Sequence, residues 1–211
     1  SHPVRQRHRT RMWHPAEPSF IAHQPRNTMN GAGIVQDPIV LLDAVDFFRL
    51  DANRRLGSER RSELGQFMTP PPTARLMASM FAANPQHLSL LDAGAGVGSL
   101  TAAFVNEVCE RRGKVSSLHV TAYEIDGTLS EYLASTLQQC GELCHNSSIR
   151  FTFDLIQSDF IEESTRSLRH EMFAPVKRFN CAILNPPYRK INSDSETRVA
   201  LREVGIETSN L

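Results

Sequence analysis

Leu91-Asp92-Ala93-Gly94-Ala95-Gly96-Val97-Gly98-Ser99-Leu100 decides how the rest of the chain is read. The apolar run Leu88–Leu91 enters this stretch as a strand, and a helical pattern from Gly98 to Arg111 leaves it. Closely spaced glycines let the backbone turn tightly and approach a ligand, and the amino end of the following helix favours negative charge. The pattern is neither of the two common phosphate cradles. A dinucleotide fingerprint needs glycine at position 99, which is Ser99, and no Gly-Lys-Ser/Thr follows to make a P-loop. An acid at the strand tip repels pyrophosphate but receives a cationic amino group. The turn therefore suits a zwitterionic amino-acid moiety, with a purely structural glycine turn as the rival reading.

Strands and helices alternate outward from this turn. Leu118–Tyr123 reads as a second strand and Thr128 to Gln139 as a helix. Ile149–Ile156 is a third strand, followed by a short helix from Ile161 to Leu168. Phe179–Leu184 is a fourth strand, and Ser195 to Val204 another helix. This alternation predicts an α/β fold: a doubly wound, Rossmann-like parallel sheet covered on both faces, with ligands outside the strands' carboxyl ends. Ahead of it, residues 38–56 place Val40, Ala44, Phe47, Phe48 and Leu50 at helical spacing, with Gly57 as the stop. A polar stretch, Ser58 to Gln66, leads into Phe67-Met-Thr-Pro-Pro-Pro72. Thr73 to Ala83 then reads as a helix with prolines at its first turn and Leu76, Met77, Met80 and Phe81 facing a core.

Hydrophobic residues at 40% and charged residues at 22% of 211 describe one globular domain with or without a tail. Lys+Arg and Asp+Glu both total 23, so net charge marks neither a nucleic-acid nor a membrane partner. Cys109, Cys140, Cys144 and Cys181 have neither zinc nor redox spacing and read as buried reduced thiols, which fits a cytoplasmic protein. No apolar stretch reaches membrane-spanning length. Residues 1–37 differ from the rest, with Arg5, Arg7, Arg9 and Arg11 unopposed by an acid before Glu17. They read as a basic, His-rich leader that is disordered or not native, the rival being a nucleic-acid-binding arm; Met29 is a candidate natural start.

Three further motifs fall at strand ends, in order. Glu124, in Ala122-Tyr-Glu124-Ile-Asp126, is placed to accept two hydrogen bonds from a ribose diol. It follows Asp92 by 32 residues, which allows a long helix between them. Asp126 reads instead as the cap of the next helix. Asp159, in Gln157-Ser-Asp159-Phe160, is either an acceptor for an adenine amino group with Phe160 packed on the ring, or a helix cap. Asn185-Pro186-Pro187-Tyr188 follows the apolar run Cys181–Leu184. Two prolines fix their own φ and push each preceding residue toward extended geometry, so this loop is stiff before a ligand arrives. A rigid amide beside an aromatic face suits a flat, amino-bearing group.

Together, Asp92-Ala-Gly-Ala-Gly-Val-Gly, Glu124, Asp159-Phe160 and Asn185-Pro-Pro-Tyr188 resemble the successive motifs of S-adenosylmethionine-dependent amino methyltransferases. Gln66-Phe-Met-Thr69-Pro-Pro71, ahead of the glycine turn, resembles the extra cofactor motif of the gamma-ordered bacterial adenine-specific DNA methyltransferases of restriction–modification systems. The resemblance spans roughly residues 57–211. It implies a sheet with strand order 3-2-1-4. It also implies three segments: a leader (1–37), N-terminal helices carrying the Thr-Pro-Pro motif (38–87) and a partial methyltransferase domain (88–211). S-adenosyl-L-methionine is the implied cofactor, contacted by Thr69, Pro70, Asp92, Ala93, Gly94, Gly96, Glu124, Ile125, Asp159 and Phe160. No metal is called for.

The resemblance also implies the reaction. Adenine's exocyclic nitrogen is a poor nucleophile because its lone pair is delocalised into the ring. Asn185 and the Pro186 carbonyl would accept its two N–H bonds, and Tyr188, held by Pro187, would stack on a base flipped out of double-stranded DNA. Asparagine at position 185 favours adenine over cytosine. Leu211 lies 23 residues past Tyr188, so four of the family's seven strands are visible. This implies a catalytic-domain fragment, or one part of an enzyme completed by a longer polypeptide or a second subunit. Two alternatives stay open: a protein-glutamine or ribosomal-RNA methyltransferase, which also uses Asn-Pro-Pro-Tyr, and a non-catalytic cofactor-binding module.

Overall fold

The computed structural model describes residues 38–64, 68–81, 85–111, 113–169, 177–186 and 195–207. The leader, Gln66, Phe67, Pro187 and Tyr188 lie outside the described residues. Strands β1 (His87–Ala93), β2 (Ser117–Tyr123), β3 (Arg150–Ile156) and β4 (Cys181–Ala182) form one parallel sheet in the order β3-β2-β1-β4, as the motif order implied. Helices α3 (Ser99–Glu110), α4 (Gly127–Asn146) and α5 (Phe160–Arg169) are the crossovers, α1 (Pro38–Leu64) and α2 (Pro71–Ser79) precede the sheet, and α6 (Glu196–Glu203) follows it. The chain steps from β1 through β2 to β3 and then returns to the far side of β1. Right-handed crossovers therefore place α5 on the face opposite α3 and α4. The order reverses between β1 and β4, and that is where a ligand crevice opens in such sheets.

Leu90, Leu118, Val120, Leu129, Leu133 and Leu137 form the fully buried centre of the core. The Phe81 ring meets Phe104 edge-on at a centroid distance of 4.9 Å, joining the end of α2 to α3. The Tyr132 hydroxyl donates to Asp51, and its ring lies 5.6 Å from Phe48, tying α4 to α1. Arg111 donates to the Ser79 and Phe81 carbonyls at the carboxyl end of α2, so a guanidinium supplies the C-terminal cap that no glycine provides. Among the described residues no helix is long and apolar enough to cross a membrane.

Several expected elements are corrected. Gly57 is a kink rather than a stop: at φ 64 and ψ 165 it breaks the helical geometry, and helix resumes to Leu64. The buried face of α1 is Leu41, Leu42, Val45, Ala52 and Leu56, while Val40, Phe47 and Leu50 face outward. Of the α2 residues expected to face the core, Met77 and Phe81 do pack against it, while Leu76 and Met80 are exposed and the small Ala74 and Ala78 are buried instead. Helix α4 runs seven residues past its expected end at Gln139, since Cys140, Leu143 and Cys144 continue its buried stripe. The fourth strand shrinks from six residues to two. Around it Asn180 stands in for the missing ladder: its side chain accepts from Ser89 N–H at 2.8 Å and donates to the His87 carbonyl at 2.8 Å.

Gly98 fixes how closely α3 and α4 meet. Its φ is +86, and a Cβ there would lie 2.8 Å from Thr136 Cγ2 and 2.9 Å from Leu133 Cδ1. Left-handed strain and overpacking both oppose any side chain, so Gly98→Ala is expected to destabilise the fold by roughly 2–4 kcal/mol. Urea unfolding of the two chains measures this difference, and a change within experimental error would show that the helices separate freely.

Candidate functional site at the strand tips

The glycine turn is held from both sides. Tyr123, the last residue of β2, offers one carbonyl to both Gly94 N–H and Ala95 N–H, each at 2.9 Å. Thr136 on α4 donates to the Val97 carbonyl at 2.7 Å. Gly94 and Gly96 adopt φ of +76 and +59 with open space where a Cβ would stand. Their backbone thus presents a bare surface at the strand tip. Helix α3 begins just beyond, with Gly98 as its N-cap and therefore no capping side chain at that position.

Two carboxylates stand behind this turn, both withdrawn from water. Asp92 has no exposed surface, and Glu124 retains 1%. Asp92 Oδ2 accepts from the Thr101 hydroxyl at 2.6 Å, while Oδ1 is buried with no hydrogen-bond partner. Burial pushes the Asp92 carboxyl up to about 7, opposed by the Thr101 hydrogen bonds and reinforced by the nearby Glu124 charge. Glu124 Oε2 accepts from Gly96 N–H at 2.8 Å, and Oε1 from Asp126 N–H at 2.9 Å. Burial raises its pKa as well, with the backbone N–H groups of Asp126 and Gly96 working the other way. Glu124 thus pins the glycine turn to β2.

The remaining strand-tip residues divide by environment. Ala93 is the last residue of β1, paired with Tyr123. Ile125 is 54% exposed beside the buried Glu124, an apolar side chain standing in solvent at the strand tip. Asp126 caps α4, accepting from Thr128 N–H and Leu129 N–H. Asp159 also caps: its Oδ1 accepts from Ile161 N–H at 2.8 Å and Glu162 N–H at 3.0 Å. One oxygen thus serves the helix while Oδ2 stays outside the cap. Phe160 lies edge-on to Tyr123 at 5.1 Å, which packs it against the end of β2.

Asn185 and Thr69, 116 residues apart, meet across the crevice: Asn185 Nδ2 donates to Thr69 Oγ1 at 3.1 Å. Thr69 is 7% exposed and immediately precedes Pro70, the N-cap of α2. Because Leu91 pairs with Ala182, Gly94 and Asn185 each lie three residues beyond the same rung. A cleft of about 270 Å³ is lined by Met77, Met80, Phe81, Ala182, Ile183 and Leu184. Thr101 and Thr136 were missed by the sequence reading. Thr101 had a faint signal, a hydroxyl in the first helical turn after the glycines; Thr136 had none.

Such a sheet places the chain among the doubly wound α/β folds, in which ligands bind outside the carboxyl ends of the strands. No family model matches the chain. Over 180 residues it is 43% identical to the type II methyltransferase M.PstI of Providencia stuartii, and over 175 residues 41% identical to the type II methyltransferase M.BsuBI of Bacillus subtilis. The chain is a relative of the type II methyltransferases, in keeping with the resemblance in its motif order. These matches take in 83% and 81% of the chain but 34% and 33% of the relatives, so it spans about a third of their length. Among solved structures, a modification subunit of a putative type I restriction enzyme from Vibrio vulnificus YJ016 matches 72% of the chain and 29% of its own, at 16% identity and a TM-score of 0.46.

The state of Asp92 has a measurable consequence. Its folded pKa, about 7, lies above the ordinary 3.8, so the native chain holds more protons than the unfolded chain between those values. This contribution to stability is complete below about pH 4 and is lost as pH rises through 7, by up to roughly 4 kcal/mol. Urea unfolding at pH 5 and pH 8 is expected to show a larger loss for the wild type than for Asp92→Asn. Equal losses would mean that the carboxyl is not buried unpaired.

Proposed function

We propose that the chain is the cofactor-binding and catalytic part of a restriction–modification DNA methyltransferase that transfers a methyl group from S-adenosyl-L-methionine to the exocyclic amino group of adenine. The observation that carries this reading is the orphaned, buried Asp92 Oδ1 behind an open glycine turn. A buried carboxylate without a donor is costly, and the cofactor's ammonium group supplies that donor. Two buried acids at adjacent strand tips also fit a ligand of net positive charge. When bound, S-adenosylmethionine supplies an electrophilic methyl on a sulfonium.

The chain's own residues bind and orient. Asp92, Gly94, Thr69 and Pro70 would hold the amino-acid end, with the backbone of Ala93 and Gly96 along the turn. Glu124 would accept from the ribose hydroxyls while keeping its bond to Gly96 N–H. Ile125 and Phe160 would flank the adenine ring, and the outer oxygen of Asp159 would accept from its amino group. On the substrate side, the Asn185 side-chain oxygen and the Pro186 carbonyl would each accept one N–H of the target adenine. That draws the nitrogen toward tetrahedral geometry and aims its lone pair at the methyl. Pro187 stiffens the loop, and Tyr188 would stack on the flipped base, whose extrusion costs a few kcal/mol. Positioning and preorganised electrostatics account for catalysis on this reading.

Residues 38–87 serve as the helical extension and 88–211 as part of the methyltransferase domain. Double-stranded DNA is engaged by the complete enzyme, in the bacterial cytoplasm, with target reading by a further polypeptide segment or subunit. Asn185→Ala in the complete enzyme is expected to abolish tritiated methyl incorporation into DNA while leaving S-adenosylmethionine affinity within a few-fold. Incorporation into ribosomal RNA or a release factor instead of DNA would replace the adenine reading with one of its alternatives. By calorimetry, cofactor affinity should rise between pH 6 and 8 as Asp92 ionises and fall in Asp92→Ala; unchanged affinity in that variant would remove Asp92 from the site.

A further inference from the structure

Helix α1 has a buried face and, directly opposite it, an exposed apolar stripe. Leu41, Leu42, Val45, Ala52 and Leu56 are buried where α1 packs on α3 and α4. At about 100° per residue, Val40, Asp43, Phe47, Leu50 and Arg54 fall on the far side of the helix. Val40, Phe47 and Leu50 are 51%, 65% and 45% exposed, and Asp43 and Arg54 stand exposed between and beyond them. Their alternating spacing of three and four residues is that of a coiled-coil seam rather than of scattered surface side chains. Beside the stripe, Arg49 pairs with Asp46 and Arg55 with Asp51 along the same helix. Neither Asp43 nor Arg54 is in an ion pair among the described residues.

We propose that this stripe is a self-association seam through which two copies of the chain pair antiparallel about a two-fold axis. The charges on the seam select the occupant and its direction. In a parallel pair each seam residue meets its own copy, so Asp43 would face Asp43 and Arg54 would face Arg54. An antiparallel pair with its axis between Phe48 and Arg49 reverses this. Asp43 then meets Arg54 of the other copy, Phe47 meets Leu50, and Val40 comes over Gly57, where a Cβ would have open space around it. The stripe is thus complementary to itself, as a two-fold interface requires, with two Phe–Leu contacts at the centre and one charge pair on each flank. One helix face against another lies at the low end of specific interfaces, near about 1,000 Å². The dimer is therefore reversible and depends on concentration, and it needs neither cofactor nor DNA.

Sedimentation velocity of the complete enzyme over a range of concentrations tests the seam. The wild type should pass from monomer to dimer as concentration rises. Asp43→Arg and Arg54→Asp each set like charges against one another twice, and each should raise the dimer dissociation constant at least about tenfold. An equimolar mixture of these two variants regains both attractive pairs, as does the double variant Asp43→Arg/Arg54→Asp. Both should associate within a few-fold of the wild type. All of these side chains are exposed, and urea midpoints report whether each variant folds. If a charge variant does not fold, Phe47→Lys tests the apolar centre in its place, with the same loss of dimer expected. A wild type that stays monomeric at every concentration would mean that another segment covers the stripe, and would overturn the proposal. Single variants that associate as the wild type does would overturn it too, since that is the behaviour of a parallel pair or of an interface elsewhere, and so would a mixture that fails to regain the dimer.

Discussion

Two carboxylates kept from water at the ends of adjacent strands govern the architecture of this crevice. Leaving Asp92 and Glu124 buried is costly unless donors converge on them, and the chain brings those donors from separate elements. Gly96 and Asp126 give backbone N–H groups to Glu124, and Thr101 gives a hydroxyl to Asp92. Each bond ties a loop or helix to a strand tip, so satisfying the acids also shapes the glycine turn. Of the oxygens of these two acids, Asp92 Oδ1 is buried without a donor among the described residues.

The rear of the turn obeys a different constraint. Gly98 lies against Leu133 and Thr136, and Thr136 also bonds the Val97 carbonyl. The second crossover helix therefore braces the first loop, so the loop's shape depends on residues almost 40 positions downstream. Flexible glycines are commonly read as mobility, but Gly98 permits one crowded geometry that a side chain could not enter. A turn already held in that geometry loses little conformational freedom when a ligand arrives.

Strands, crossover helices and strand-tip residues were legible in the sequence because their signals are local, while the sheet order was implied by the resemblance in motif order. Apolar runs mark β1 to β3, glycines mark the turn, and an acid or amide follows each strand. Which helix face turns inward was not legible. On α1 and α2 the larger side chains Phe47, Leu76 and Met80 are exposed while Ala52, Ala74 and Ala78 are buried. Periodicity finds an apolar side but does not report how near the neighbouring helix sits, and closeness selected alanine. The bond between Thr69 and Asn185 was equally invisible, since a contact across 116 residues leaves no trace in spacing. Asp159 shows a third limit: the sequence offered a ligand acceptor or a helix cap, and the side chain has one oxygen for the cap and another outside it.

Asn180 has a role larger than its size. Its amide mimics a peptide group, meeting both the His87 carbonyl and the Ser89 N–H of β1. Only Cys181 and Ala182 are paired in β4, and the backbone N–H groups of Asn180 and Ile183 donate to the Ser89 and Leu91 carbonyls on either side of them, so the Asn180 side chain adds to a short register. A slip of a single residue would exchange the two faces of the strand and deliver Leu184 or Pro186 to the position of Asn185. Asn180 is thus an index mark for the strand. The address at which the Asn-Pro-Pro-Tyr loop emerges is written five residues before that loop begins.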